Sequence, residues 1–193
     1  MRLVDFGFRK GINEVIVITF DRDGRINTAP IGIIVEDEKG LNAKARIYES
    51  HTRKNVENGS RFFTNTTYDP IVFAISSFDD LDEEYFESLD PPIIKNSLVW
   101  CEFKAEIKGD FVNLRLLDGE ILRGCIRAVN RGFNALIEAL VCATKYRAIR
   151  DYKMLKEIDR YRVIVEKCGS DDEKRAFETM MEYLSKDLSM VDG

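Results

Sequence analysis

Histidine is almost missing from this chain: His51 is the only one among 193 residues. A single imidazole excludes any mechanism that needs two, and it argues against a catalytic triad or a histidine-rich metal centre. The four cysteines, at 101, 125, 142 and 168, form no C-x-x-C pair, so neither a zinc knuckle nor a redox dithiol is indicated. They read as reduced thiols of a cytoplasmic protein. Basic excess is absent too. Lys plus Arg number 29 against 34 Asp plus Glu, a net charge of -5, which argues against nucleic acid as a partner. No run approaches the roughly 18 apolar residues of a membrane helix, and the start "MRLVDFGFRKG" lacks the apolar stretch of a signal peptide. A soluble protein with neither metal nor membrane partner is expected, and any chemistry is expected from a cofactor.

What is present is enough to fold. The 45% hydrophobic content supports a real core in one domain, or in one domain with an appendage. "NEVIVITF", 13–20, reads as a strand, "DRDGR" as a turn with Gly24 at positive φ, and "INTAPIGIIV", 26–35, as the returning strand of a hairpin. Pro30 cannot donate to a sheet ladder, so this second strand is expected at an edge or with a bulge that exposes backbone groups. A third strand is expected over 43–49 and a short helix near 52–58. Two strands, "SRFFTNTT" and "PIVFAISS", should follow around the turn "YDP". Seven carboxylates between Asp79 and Asp90 match no calcium-loop spacing and read as a solvated connection. Strand character resumes in "SLVWCEFKAEIKG", "FVNLRLLDG" and "EILRGCIRAV".

At "NRGFNALIEALVCATKYRAI" the apolar period changes from about 2 to 3.6, with Phe133, Leu136, Ile137, Leu140, Val141 and Thr144 on one face. Leu155, Ile158, Tyr161 and Val165 mark a second helix, and Phe177, Met180, Met181 and Leu184 a third. Strands followed by helices indicate an α+β fold, with the change near residue 130. Trp100 and the phenylalanines read as core, and Arg131 and Asn134 as polar residues opening a helix.

The stretch "ESHTRKNVENGSRFFTN", 49–65, places hydroxyls at Ser50 and Thr52 beside the cations Arg53 and Lys54, where the short helix begins. Such a group fits an anion, because helix starts carry unpaired N–H groups and a positive dipole end. The competing reading is a helix merely capped by Thr52, with the cations facing water. The residues alone leave both open.

"INEVIVIT", "GRINTAPIGI", "YESHTRKNVENGSRFFTN" and "NRGFNALIEALVCATK" together resemble an archaeal family of uncharacterised proteins with the FMN-binding split β-barrel fold, akin to pyridoxamine-phosphate oxidases and flavin reductases. The resemblance covers nearly the whole chain. It implies a split-barrel flavin domain over 1–130 and a helical subdomain over 131–193 packed on it. It also implies that Ser50, His51, Thr52, Arg53, Lys54 and Asn55 lie at the flavin phosphate. Asn27, Thr28, Ala29, Pro30 and Ile31 would then lie at the pyrimidine edge, with Asn65 as a further candidate contact.

The function implied is that of an FMN-binding homodimeric flavoprotein, acting as an oxidoreductase or flavin reductase. The alternative is a non-catalytic flavin carrier or sensor whose helices dock a partner. No residue stands out as a required acid or base. Haem is disfavoured, since His51 alone would have to ligate the iron.

Overall fold

The computed structural model describes residues 1–189. Its first unit comprises residues 1–68 and 80–125, and its second residues 69–79 and 126 onward. The last four positions of the expected helical part, 190–193, lie outside the described residues.

The first unit is a closed antiparallel barrel. Its strands are β1 (Gly11–Phe20), β2 (Ile26–Val35), β3 (Asn42–Arg46), β4 (Phe62–Thr66), β7 (Val99–Lys108) and β8 (Phe111–Ile121), in the spatial order β1-β2-β3-β8-β7-β4. Strands β5 (Phe86–Leu89) and β6 (Pro92–Ile94) form a separate hairpin that begins in the acidic tract, which the sequence reading took as a solvated connection. The barrel interior is filled by Val15, Val17, Ile33, Phe62, Cys101, Phe103 and Leu114, all at most 2% exposed. Burial pushes the Cys101 thiol up to about 12, so it packs as a neutral apolar group. One short helix, α1 (His51–Glu57), sends Val56 into this core.

The β1–β2 hairpin runs in unbroken register from Gly11↔Val35 to Phe20↔Ile26, so β2 carries no bulge. Pro30 is instead accommodated at an edge, because β3 pairs with β2 only at Ile33 and Ile34. The expected strand "EILRGCIRAV" does not form. β8 continues through Gly119 to Ile121, and 122–130 has no regular structure. Gly119 is a close-approach residue, not a turn: a Cβ there would lie 2.8 Å from the Trp100 carbonyl oxygen.

The second unit is helical: α2 (Pro70–Ser76), α3 (Arg131–Ile149), α4 (Lys153–Cys168) and α5 (Asp171–Ser189). The strand expected in "PIVFAISS" is therefore a helix. Asp69 accepts hydrogen bonds from the N–H groups of Ile71 (2.9 Å) and Val72 (3.2 Å), and Pro70 takes a first-turn position where its missing N–H costs nothing. A short apolar run has no period that separates strand from helix, and the Asp-Pro cap decided it. Phe73 of α2 meets Phe133 of α3 edge to face, with centroids 6.0 Å apart.

Asn130, not Arg131 or Asn134, caps α3. Its Oδ1 accepts from the Gly132 and Phe133 N–H groups at 2.8 and 3.1 Å. Its amide donates to Glu173 of α5 at 3.1 Å. Glu173 is 3% exposed and also accepts from the Ser170 N–H (2.7 Å) and hydroxyl, the glutamate half of a capping box, with Arg127 at 3.5 Å. Gly132 permits the junction, since a Cβ there would come within 2.3 Å of Gly169. Burial works to raise the Glu173 pKa, but the Ser170 hydrogen bonds and the Arg127 charge outweigh it and hold the carboxyl below its usual range. A lowered folded-state value stabilises the fold above the ordinary glutamate pKa. That contribution is lost as the pH falls through the lowered value. Glu173→Gln should cost about 1–3 kcal/mol at neutral pH. It should also flatten the acid limb of stability, as read from urea melts between pH 3 and 7.

Candidate functional site

At one end of the barrel, inward-facing positions that are apolar elsewhere become polar. Thr19 of β1 continues the parity of Val15 and Val17, and Asn27 stands opposite it on β2. The Asn27 amide donates to Thr19 Oγ1 (3.2 Å) and to Thr52 Oγ1 (3.0 Å), while the Asn55 amide donates to the same Thr19 oxygen (3.1 Å). All four side chains are buried. They bind the polar face of α1 to the barrel mouth, while Val56 supplies the apolar contact. Thr52 and Asn55 are thus held inside the protein. Because Thr52 Oγ1 accepts from Asn27, its own hydrogen is left to donate.

The cap of α1 is Ser50, not Thr52: the Arg53 N–H donates to Ser50 Oγ at 3.3 Å. Arg53 and Lys54 have separated roles, as adjacent residues on a helix must. Arg53 turns back into the protein. Its guanidinium donates to the carbonyls of Ile47 (3.3 Å) and Gly109 (3.1 Å) and pairs with Glu57 (3.2 Å) and Glu49 (3.5 Å). Lys54 and His51 are exposed, and neither side chain makes a hydrogen bond or ion pair among the described residues. Lys54, in the last turn of this seven-residue helix, is therefore the unpaired Lys or Arg of α1 among the described residues.

Beside α1 lies the unpaired edge of β2, from Ile26 to Gly32, past the point where β3 leaves it. Ala29, Pro30 and Ile31 are half-buried on this edge. Thr28 is clamped from outside, its N–H donating to Asp80 (2.6 Å) and its hydroxyl oxygen accepting from the Leu81 N–H (3.0 Å). Asn65 is placed differently from the rest. Fully buried on β4, it donates to the Pro92 carbonyl (3.0 Å) and accepts from the Ile94 N–H (2.8 Å), so its amide serves as a rung for β6. The structure thus ties Asn27 of β2 to Thr52 of α1, holds Thr52 and Asn55 buried with Ser50, His51 and Lys54 beside them in the chain, leaves Ala29 to Ile31 further along the β2 edge, directs Arg53 inward, and commits the Asn65 side chain to the hairpin.

Two residues that matter here escaped the sequence reading. Thr19 was legible in principle, as a hydroxyl on the inward parity of an apolar strand. Asp80 was not, being one of seven similar carboxylates. Among the described residues no group of three metal-ligating side chains converges. No described helix is long and apolar enough to cross a membrane.

A closed six-stranded barrel with one strand edge left open beside a capping helix, followed by a helical unit, defines an α+β protein of the split-barrel class. The chain belongs to the DUF447 family: residues 13–123 match the model described as "Protein of unknown function (DUF447) N-terminal domain", and residues 130–182 the one described as "Protein of unknown function (DUF447)". It is 29% identical over 196 residues to the uncharacterized protein MJ1453 of Methanocaldococcus jannaschii, covering 90% of this chain and 98% of that one. It is 34% identical to MM1853 of Methanosarcina mazei, a DUF447 protein whose crystal structure is FMN-bound; the match has a TM-score of 0.81 and covers 94% of this chain and 99% of that one. A flavoredoxin of Desulfovibrio vulgaris (Miyazaki F) superposes at a TM-score of only 0.46 with 14% identity, over 63% of this chain and 77% of that one, too distant to bear on function.

The shared Thr19 acceptor gives a direct test of how α1 is held. Thr19→Val keeps the shape but removes the oxygen that two buried amides donate to, and should cost about 1–3 kcal/mol. Thr19→Ser should recover most of it. The check is the urea midpoint at unchanged m-value.

Proposed function

We propose that this chain is a homodimeric, cytoplasmic FMN-binding flavoprotein whose cofactor binds beside the β2 edge and α1. The single observation that carries the reading is the likeness, over 94% of the chain, to the FMN-bound MM1853. The donor set fits the group. Lys54 supplies an unneutralised cation, and Ser50 and Thr52 supply hydroxyl hydrogens left over after each oxygen has accepted a bond. His51 stands exposed next to them. The open edge of β2, Asn27 to Ile31, offers backbone groups to the pyrimidine ring. Bound flavin would supply electron or hydride transfer, and the protein would contribute binding and orientation.

Arg53 enters this reading as a support. It ties the chain after β3 to the β7–β8 turn through the Ile47 and Gly109 carbonyls, which fixes where Ser50 and Lys54 stand. Asn27 and Asn55 act in the same way, by holding Thr52. Reduction of the flavin by NADH or NADPH distinguishes an oxidoreductase from a carrier: bleaching on the order of 1 s⁻¹ or faster marks the enzyme. Bleaching no faster than that of free FMN marks the carrier.

For the dimer, the support is exposed apolar surface. Leu117 and Ile121 of β8 are about half exposed, and Ile126 and Val129 in the following segment are almost fully so. The four cysteines are all unpaired, which suits a reducing compartment.

FMN should bind at least tenfold tighter than riboflavin, because riboflavin forfeits the charge-assisted bonds. Lys54→Ala should cost about 1.5–3 kcal/mol of FMN affinity and leave riboflavin unaffected. Arg53→Ala should lower fold stability and weaken both flavins alike. Fluorescence titration reads each value, and equal affinity for FMN and riboflavin would contradict the phosphate assignment. Sedimentation at micromolar concentration should give about twice the 22.2 kDa chain mass.

A further inference from the structure

The chain passes from the first unit to the second between Cys125 and Ile126. Segments that join units are ordinarily polar and rich in proline or glycine. This one is not. In "ILRGCIRAV", 121–129, the only charged or amide-bearing side chains are two arginines, and Ile126 and Val129 are at least 85% exposed. Its main chain is idle as well: Gly124, Cys125, Ile126, Ala128 and Val129 make no hydrogen bond among the described residues.

The segment is nonetheless held. Arg123 donates to the Ser97 carbonyl (3.0 Å) and to Glu87 (2.7 Å). Arg127 lies 3.5 Å from Glu173, with its guanidinium 4.4 Å from the centre of the Phe133 ring. Both cations are thus neutralised within the chain, and what remains for an outside partner is apolar side chain and unpaired backbone. Unpaired backbone beside apolar side chains is a template for strand pairing.

Charge decides which partner. The chain carries a net charge of -5, and 121–137 is its longest run without a carboxylate. Where two copies meet about a two-fold axis, each residue near the axis faces its own counterpart, so an unpaired charge there meets its like. Residues 124–129 carry one charge, Arg127, and it is paired. A two-fold axis perpendicular to such a segment also sets it antiparallel to its copy, so its backbone groups match themselves.

We infer that residues 124–129 form the contact between two copies of this chain, the segment of one protomer lying antiparallel along the same segment of its partner, with Ile126 beside the axis. The inference rests on the homodimer proposed above and names the face through which it forms.

The experiment is sedimentation of the full chain over a range of concentrations. The wild type should reach about twice the 22.2 kDa chain mass. Ile126→Asp changes a side chain too exposed to serve the fold of the single chain. It should raise the dimer dissociation constant at least tenfold, since two carboxylates then face each other across the axis. Ile126→Lys should do the same. Mixed in equal amounts, the two variants should pair again, because a carboxylate then meets an ammonium. Ile12→Asp, at an isoleucine that is 70% exposed elsewhere on the barrel, should leave association unchanged. A short bis-maleimide should link two wild-type chains through Cys125, and Cys125→Ser should remove that product. An undiminished dimer in Ile126→Asp would place the contact elsewhere, overturning the inference while the homodimer stands. Loss of the dimer in both variants with no recovery on mixing, or linkage that does not depend on Cys125, would overturn the self-pairing. A wild type that stays a flavin-bound monomer would overturn both the contact and the homodimer.

Discussion

The site depends on one buried oxygen. Thr19 Oγ1 accepts from two amides, Asn27 on the neighbouring strand and Asn55 on α1, and Asn27 passes the connection on to Thr52. Four polar side chains at the mouth of an apolar barrel are a high-stakes arrangement: satisfied, they fix one geometry, and with a member lost they leave buried donors without partners. That geometry is what places α1. A seven-residue helix has little stability of its own, so its position is imposed by the barrel and not by propensity. Lys54, Ser50 and Thr52 are where they are because Asn55 and Val56 are anchored below them.

The neighbouring cations show how a fold divides similar residues between work and support. Arg53 and Lys54 are equivalent by charge. A guanidinium can satisfy several carbonyls and carboxylates at once, and Arg53 does so with Ile47, Gly109, Glu49 and Glu57. The ammonium of Lys54 remains exposed, without an ion pair among the described residues. The same economy governs the amides. Asn65 takes the place of a strand neighbour for β6, whereas Asn27 and Asn55 take the place of one for the helix.

Much of this was legible in the sequence, for identifiable reasons. The β1–β2 hairpin was readable because Gly24 marks its turn and β-branched residues fill both arms. The open edge was readable because Pro30 cannot donate. The three long helices announced themselves through their apolar period. What failed had a common cause: short apolar segments carry no period. "PIVFAISS" looked like a strand until Asp69 and Pro70 were seen to cap it, and "EILRGCIRAV" looked like a strand of its own, though only Glu120 and Ile121 pair, as the end of β8. Within the site, residue type and position in the chain named the right neighbourhood. They could not say that Ser50 rather than Thr52 caps, or that Arg53 faces inward, because both depend on what the barrel brings close. The clamp of Asp80 on Thr28 spans 52 positions and leaves no local trace.

The place of α2 in the chain has a consequence for how the molecule is made. Its segment, 69–79, is synthesised in the middle of the barrel sequence yet belongs with helices that begin at Arg131. A nascent chain grows from its N-terminus, and its first domain normally folds as soon as it has emerged. Here every barrel strand is available by Ile121, but Val72, Phe73 and Ala74 of α2 must wait for α3 and α5. During that interval the finished barrel carries a loop with an apolar helix and no partner for it, a surface that a chaperone would bind. A fragment cut at Cys125 would hold the orphan permanently, so the barrel and the helices are one unit of biosynthesis even though they are two units of structure.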